Sequence, residues 1–306
     1  MGSANHERIL AAAREWAGAP MALATVIETW RSAPCPVGTH LLVHEDGRFV
    51  GSVSGGCVEG DVLHVAAEVI AGAPAVARHY GVADGEAWEV GLPCGGSIVV
   101  LVQPVSESGF PPGLFERISE ARAAGETLSV GTDLQSGASS LSDTGFTNTY
   151  PPQRRLLIVG AVEIAASLAA IAGSQGFAVT LCDPRGRFLT AERFPGVTLD
   201  DRWPDEAVAA FAPDSRSAVV TLSHDPKIDD PALIAALASP ATYIAALGSK
   251  ASHAARLTRL AAARVSADGL ARIEGPAGVS INAISAPEIA LSIAAGMIKS
   301  FNDGLR

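Results

Sequence analysis

From residue 155 onward, short apolar runs of strand length alternate with segments of helical spacing, and this alternation constrains the fold more than any other feature of the chain. The runs 156–159, 177–182, 217–222 and 241–247 are too short for helices. They are almost continuous in apolar residues, as strands buried on both faces are. Between and after them, 163–175, 231–237 and 252–262 carry helical spacing. Parallel strands need crossover connections and helices supply them, so this order predicts a doubly wound parallel sheet over 153–306. A last helix through 289–298 is announced by Ser285 with Glu288 three residues on, the spacing of a capping box.

The first 105 residues read as a separate mixed α/β domain. Helical spacing at 9–16 is followed, after Pro20, by a β-branched run at 21–28. A loop over 31–38 leads to strands at 40–44 and 49–53, joined by the turn Glu45-Asp46-Gly47-Arg48. A helix is predicted at 58–71 and a buried strand at 97–102, ending by Pro104. The segment 106–152 reads as an extension: a helix at 114–124, a few edge strands, and a polar linker closing at Pro151-Pro152.

Composition excludes several functions. With 48% hydrophobic residues in 306, the chain can bury large cores. A net charge of −10 and 5% aromatic residues argue against nucleic acid, whose phosphates call for Lys and Arg and whose bases call for stacking surfaces. No apolar run approaches the roughly 18 residues of a membrane span. The charged start of the chain (Glu7, Arg8, Arg14, Glu15) and four unclustered cysteines point to a soluble protein of the reducing cytoplasm.

Two of those cysteines adjoin glycine pairs: Ser54-Gly55-Gly56-Cys57 and Cys94-Gly95-Gly96. Either thiol is readable as a small residue in a tight turn. Together they mark a candidate ligand site, because the glycines let a bulky group approach and can present backbone N–H groups to an anion. Cys57 also falls at the positive end of a predicted helix. Zinc is disfavoured, since no histidine stands at ligand spacing from these thiols. Cys35 and Cys182 read as structural.

In the second domain, Gly160-Ala161-Val162-Glu163 occupies the place of a dinucleotide-binding turn, and Asp183 the place of a ribose-binding acid. The fingerprint's middle glycine is Val162, and Glu163 adds negative charge at the phosphate position, so ordinary NAD(P) binding is disfavoured. Further polar clusters, His224-Asp225 and Gly248-Ser249-Lys250, end later strands and are expected to converge on one crevice.

These motifs resemble the XdhC/CoxI family in order and spacing: Arg31-Ser32-Ala33-Pro34, then Ser54-Gly55-Gly56-Cys57-Val58-Glu59, Trp88-Glu89-Val90-Gly91-Leu92 and Cys94-Gly95-Gly96. The second half adds His224-Asp225-Pro226-Lys227, Gly248-Ser249-Lys250, Gly275-Pro276 and Pro287-Glu288. The resemblance implies a Rossmann-like C-terminal domain and a non-catalytic accessory factor. Such a factor binds molybdenum cofactor, as molybdopterin or its dinucleotide form, while a cysteine desulfurase sulfurates it. It then hands the cofactor to an apo molybdenum hydroxylase of the xanthine dehydrogenase type. Cys57 and Cys94 are then candidate molybdenum contacts, and a homodimer is expected. Two other classes stay open: an NAD(P)-dependent oxidoreductase, and a thiol-based sulfur carrier using Cys57 or Cys94.

Overall fold

The computed structural model describes residues 3–81, 96–143 and 145–303. The chain divides into two compact units, Met1–Pro152 and Gln153–Arg306.

In the first unit, helix α1 (Ser3–Glu15) precedes the long strand β1 (Met21–Trp30) and the hairpin of β2 (His40–His44) and β3 (Phe49–Gly51). Helix α2 (Glu59–Ile70), β4 (Val76–Tyr80) and β5 (Ser97–Pro104) follow. The strands form an antiparallel sheet in the order β3-β2-β1-β5-β4. Gly47, at φ +87°, supplies the left-handed residue that the Asp-Gly turn requires. Strand alternation sorts the two faces of β1. Ala22, Ala24 and Val26 pack with Val62, Val65 and Val69 of α2, whereas Met21 and Leu23 pack with Ile9, Leu10 and Trp16 from the N-terminal segment.

The helix and edge strands expected over 106–152 are present, and the polar stretch read as a linker belongs to the same folded segment. After α3 (Gly113–Ala123), strands β6 (Leu128–Thr132), β7 (Ser139–Ser140) and β8 (Phe146–Tyr150) form a second antiparallel sheet, ordered β7-β6-β8. Its inward residues are polar because they satisfy one another. His40 Nε2 lies 2.8 Å from the Tyr150 hydroxyl and 3.0 Å from Asn148 Nδ2, while its Nδ1 lies 2.9 Å from Thr25 Oγ1. Burial disfavours the charged ring, holding the His40 pKa down at about 3 and that of His6, packed against the Tyr150 ring, at about 4.

The second unit runs β9 (Arg155–Val159), α4 (Glu163–Ser174), β10 (Ala178–Cys182), β11 (Thr198–Asp200), α5 (Pro204–Phe211), β12 (Ser217–Thr221), α6 (Pro226–Leu237), β13 (Tyr243–Ala246), α7 (Lys250–Ala262), α8 (Ala267–Ala271), β14 (Ile273–Glu274) and α9 (Ala286–Asp303). Its parallel sheet has the order β11-β10-β9-β12-β13-β14, the 3-2-1-4-5-6 arrangement of a doubly wound Rossmann-like fold. One face carries α4 and α9, through Ala165, Leu168, Ile293 and Met297. The other carries α5, α6 and α7, through Val208, Leu233 and Leu260.

The glutamate half of the capping box is present: Glu288 Oε2 accepts from the N–H of Ile284 at 2.7 Å and of Ser285 at 3.0 Å. Helix α6 begins at Pro226 rather than Pro231, because Asp225 caps it by accepting from Lys227 N and Pro226 needs no N–H partner in the first turn. Among the described residues no helix is long and apolar enough to cross a membrane.

Candidate functional site

The loop before α2 is organised by one carboxylate. Glu59 accepts from the backbone N–H of Val53 (3.1 Å), Ser54 (2.9 Å) and Gly56 (2.8 Å), and from the hydroxyls of Ser52 (2.5 Å) and Ser54. Ser54 Oγ in turn accepts from the N–H of Cys57 and Val58, each at 2.9 Å, and Ser52 Oγ from Gly55 N at 2.8 Å. Every N–H from Val53 to Val58 therefore has an internal partner. Burial opposes the Glu59 charge, but these donors outweigh it and hold the pKa down at about 2.

This corrects the expectation that Gly55 and Gly56 offer free N–H groups to an anion. The chain's own carboxylate fills that nest. What the loop presents outward is its glycine face and a thiol. Gly55 and Gly56 have φ of +74° and +114°, and a Cβ at either would meet nothing within 4 Å. Cys57 is exposed. Cys35, half-buried, faces the same loop through Ser52 and Gly55; burial, then the Glu59 charge, pushes its thiol pKa up. Gly96 is glycine because a Cβ there would lie 2.5 Å from the Ser32 carbonyl oxygen. Cys94 and Gly95, with the Trp88 to Leu92 motif, lie outside the described residues.

A cavity of about 680 Å³ in this unit, lined among others by Leu10, Met21, Ile70 and Phe115, includes none of the predicted residues.

In the second unit, Gly160, Asp183, His224, Asp225, Gly248, Ser249 and Lys250 all follow the carboxyl ends of parallel strands. The chain crosses over between β9 and β12, where such sheets bind ligands. Gly160, at φ +108°, lies against the β12 loop: a Cβ would come 2.8 Å from Ser223 N. Asp183 is fully buried. It accepts from Ala161 N at 2.8 Å and from Arg185 through N (2.9 Å), Nε (2.8 Å) and Nη2 (2.7 Å). Burial alone would raise its pKa, but Arg185 and the Ala161 N–H hold it below the ordinary value.

Asp225 and Ser249 serve as helix caps, and His224 is exposed at φ +62°. Beneath these loops Asp229 accepts from Ser223 Oγ at 2.7 Å. It stands 3.8 Å from Arg256 Nη2, which itself bonds the Leu247 carbonyl at 2.8 Å. That chain of contacts ties the loops after β12 and β13 together, and Gly160 packs the β9 loop against Ser223. Cys182 is buried, its pKa pushed to about 12 by desolvation and the nearby Asp200 and Asp183 charges.

Sequence reasoning gave no role to Glu59, Arg185, Asp229 or Arg256, although Glu59 stands in the motif that carries the resemblance. Glu59 was findable, since an acid in the first turn after a serine loop reaches back as capping boxes do. The arginines act by side-chain reach, which spacing does not encode.

Comparison with known proteins agrees with this architecture. Residues 16–81 match the model of the XdhC and CoxI family, and residues 156–297 that of the XdhC Rossmann domain. The chain is 29% identical to the molybdenum cofactor insertion chaperone PaoD of Escherichia coli, over 95% of this chain and 87% of that protein. It is 24% identical to a probable xanthine dehydrogenase subunit of Bacillus subtilis, over 91% and 92% of the two chains. A crystal structure described as a xanthine dehydrogenase from Bacillus halodurans superposes with a TM-score of 0.82 at 26% identity, covering 99% of this chain and 96% of the other. With a family domain in each half, the chain belongs to the XdhC/CoxI family.

Proposed function

We propose that this protein carries molybdenum cofactor as cargo, shields it, and delivers it to an apo molybdenum hydroxylase of the xanthine dehydrogenase type. The observation that carries this reading is the exposed Cys57 thiol on the open Gly55-Gly56 face, with its turn fixed by Glu59. Thiolate sulfur is a soft donor suited to a heavy metal centre, and a glycine face leaves room for a flat, bulky ligand. The near full-length similarity to an insertion chaperone supports the same reading. Cys57, Gly55 and Gly56, with Cys94, Gly95 and Gly96, are the candidate contacts in the first unit. Gly160, Asp183, His224, Asp225, Gly248, Ser249 and Lys250 border the second candidate crevice.

A cysteine desulfurase is the partner that would sulfurate the cargo, and the protein acts in the cytoplasm, as a homodimer. An NAD(P)-dependent oxidoreductase is the weaker reading: both Asp183 oxygens are engaged by the chain itself, so the usual ribose-binding acid is taken. The test is pterin and molybdenum analysis of protein purified anaerobically from a host that makes the cofactor. Both are expected in the wild type and reduced in a Cys57→Ala, Cys94→Ala variant. Absence of both from the wild type would overturn the reading.

A further inference from the structure

In most doubly wound sheets the first turn holds a ligand's phosphate with free backbone N–H groups at a helix N-terminus. Here the N–H groups of the turn itself, from Gly160 to Val162, are engaged. Gly160 N donates to Cys182 O at 2.8 Å, Ala161 N to Asp183 Oδ2 at 2.8 Å, and Val162 N to Gly160 O at 2.9 Å. Glu163, exposed in the first turn of α4, adds a negative charge.

One guanidinium touches the turn, a second holds the acid that caps it, and a third lies beside them over Phe188. Arg193 reaches over it, donating from Nη2 to the Ala161 carbonyl at 3.1 Å and from Nη1 to the Phe188 carbonyl at 2.5 Å. Arg185 is fixed by the buried Asp183 through Nε and Nη2. Its side chain nonetheless keeps 42% of its surface exposed. Arg187 is exposed, and both Arg185 (4.8 Å) and Arg187 (5.3 Å) lie over the Phe188 ring. Arg187 and Arg193 have no carboxylate partner among the described residues, in a chain of net charge −10. Stacking on an aromatic ring and bonding to carbonyls both hold a guanidinium in place without neutralising it.

We propose that Arg185, Arg187 and Arg193 bind the phosphate or diphosphate group of a ligand at this edge, taking the role that backbone N–H groups play in ordinary dinucleotide sites. Forked, pre-positioned guanidinium groups suit phosphate oxygens in geometry and charge. The proposal rests on reading this crevice as a ligand site and deepens the carrier function by naming the group the crevice recognises, a phosphoryl ester.

The experiment is calorimetric titration of the full chain, made in a host lacking the cofactor, with inorganic phosphate, inorganic pyrophosphate, ADP and adenosine. Pyrophosphate and ADP are expected to bind, with affinity that falls as salt rises, and adenosine to give no heat. ADP binding more tightly than inorganic pyrophosphate supports recognition of a phosphate ester, and the reverse order would overturn it. Arg187→Gln, which removes the guanidinium lying over the Phe188 ring, is expected to weaken pyrophosphate about tenfold, and Arg187→Gln with Arg193→Gln by more. Unaltered melting of Arg187→Gln checks that the fold is kept. No pyrophosphate binding at low salt, or equal binding by wild type and Arg187→Gln, would overturn the proposal. Pterin found in the protein without pyrophosphate binding would remove this proposal and leave the carrier reading. Pyrophosphate binding without pterin would do the opposite.

Discussion

The Glu59 carboxylate accepts the backbone N–H of Gly56 at 2.8 Å, so the turn that displays Cys57 is held by a charge placed in the helix that follows it. Acid should therefore loosen the loop. The carboxyl has a pKa near 2 in the folded chain against an ordinary 4.5, so its contribution is complete above pH 4.5 and drains away as pH falls toward 2. Glu59→Gln is expected to cost about 1–3 kcal/mol near neutrality. The difference between wild-type and variant urea midpoints should shrink from pH 5 to pH 2. A constant difference would show that the charge is not what holds the turn.

The buried histidines give a second pH dependence in a different window. His6 and His40 are held at about 4 and about 3, below the ordinary 6.5, so the unfolded chain takes up protons that the folded chain refuses. Their part of the stability is whole above pH 6.5 and falls as pH drops through 6 and 5. His6→Phe, which keeps a ring against Tyr150, should flatten this slope between pH 6.5 and 4. Denaturant midpoints across that range provide the check.

Thiol accessibility should separate the described cysteines. Cys57 is exposed, Cys35 half-buried and Cys182 buried. Brief alkylation of the native protein, followed by peptide mapping, is expected to label Cys57 first and to reach Cys182 only after denaturation. Early labelling of Cys182 would contradict the burial of β10.

Two glycine replacements should differ in cost for a steric reason. Gly55→Ala places a Cβ in open space, so only its left-handed backbone is penalised, by about 1 kcal/mol. Gly160→Ala adds a contact of 2.8 Å with Ser223 N to the same backbone penalty and should cost about 2–3 kcal/mol. Paired urea titrations test the order.

Much of the second unit was legible in the chain. Buried parallel strands such as β9 and β12 are apolar runs, and Ser285 with Glu288 marks the start of α9 by local chemistry alone. Strands β11 and β14, of three and two residues, are too short to carry a period. The few edge strands expected before the linker extend through the polar stretch as the sheet of β6, β7 and β8, which spacing does not show for another reason. Residues such as Asn148 and Ser139 are buried because they bond His40 and Gln103, which are remote in sequence, so no apolar alternation betrays them. At the candidate sites, residue identity located Cys57, Gly160 and Asp183. Which donors remain free depends on Glu59 folding back onto its turn and on Asp183 taking the Ala161 N–H, a property of three-dimensional reach.

Helix α9 lies beside α4, with Ile293 and Met297 covering Ala165 and Leu168. Because α4 forms near the start of this unit and its cover comes from the last helix, the half-synthesised Rossmann-like unit has a bare apolar layer. It can close only once α9 has emerged from the ribosome, so a chain stalled before Ala286 would expose that layer to chaperones and proteases.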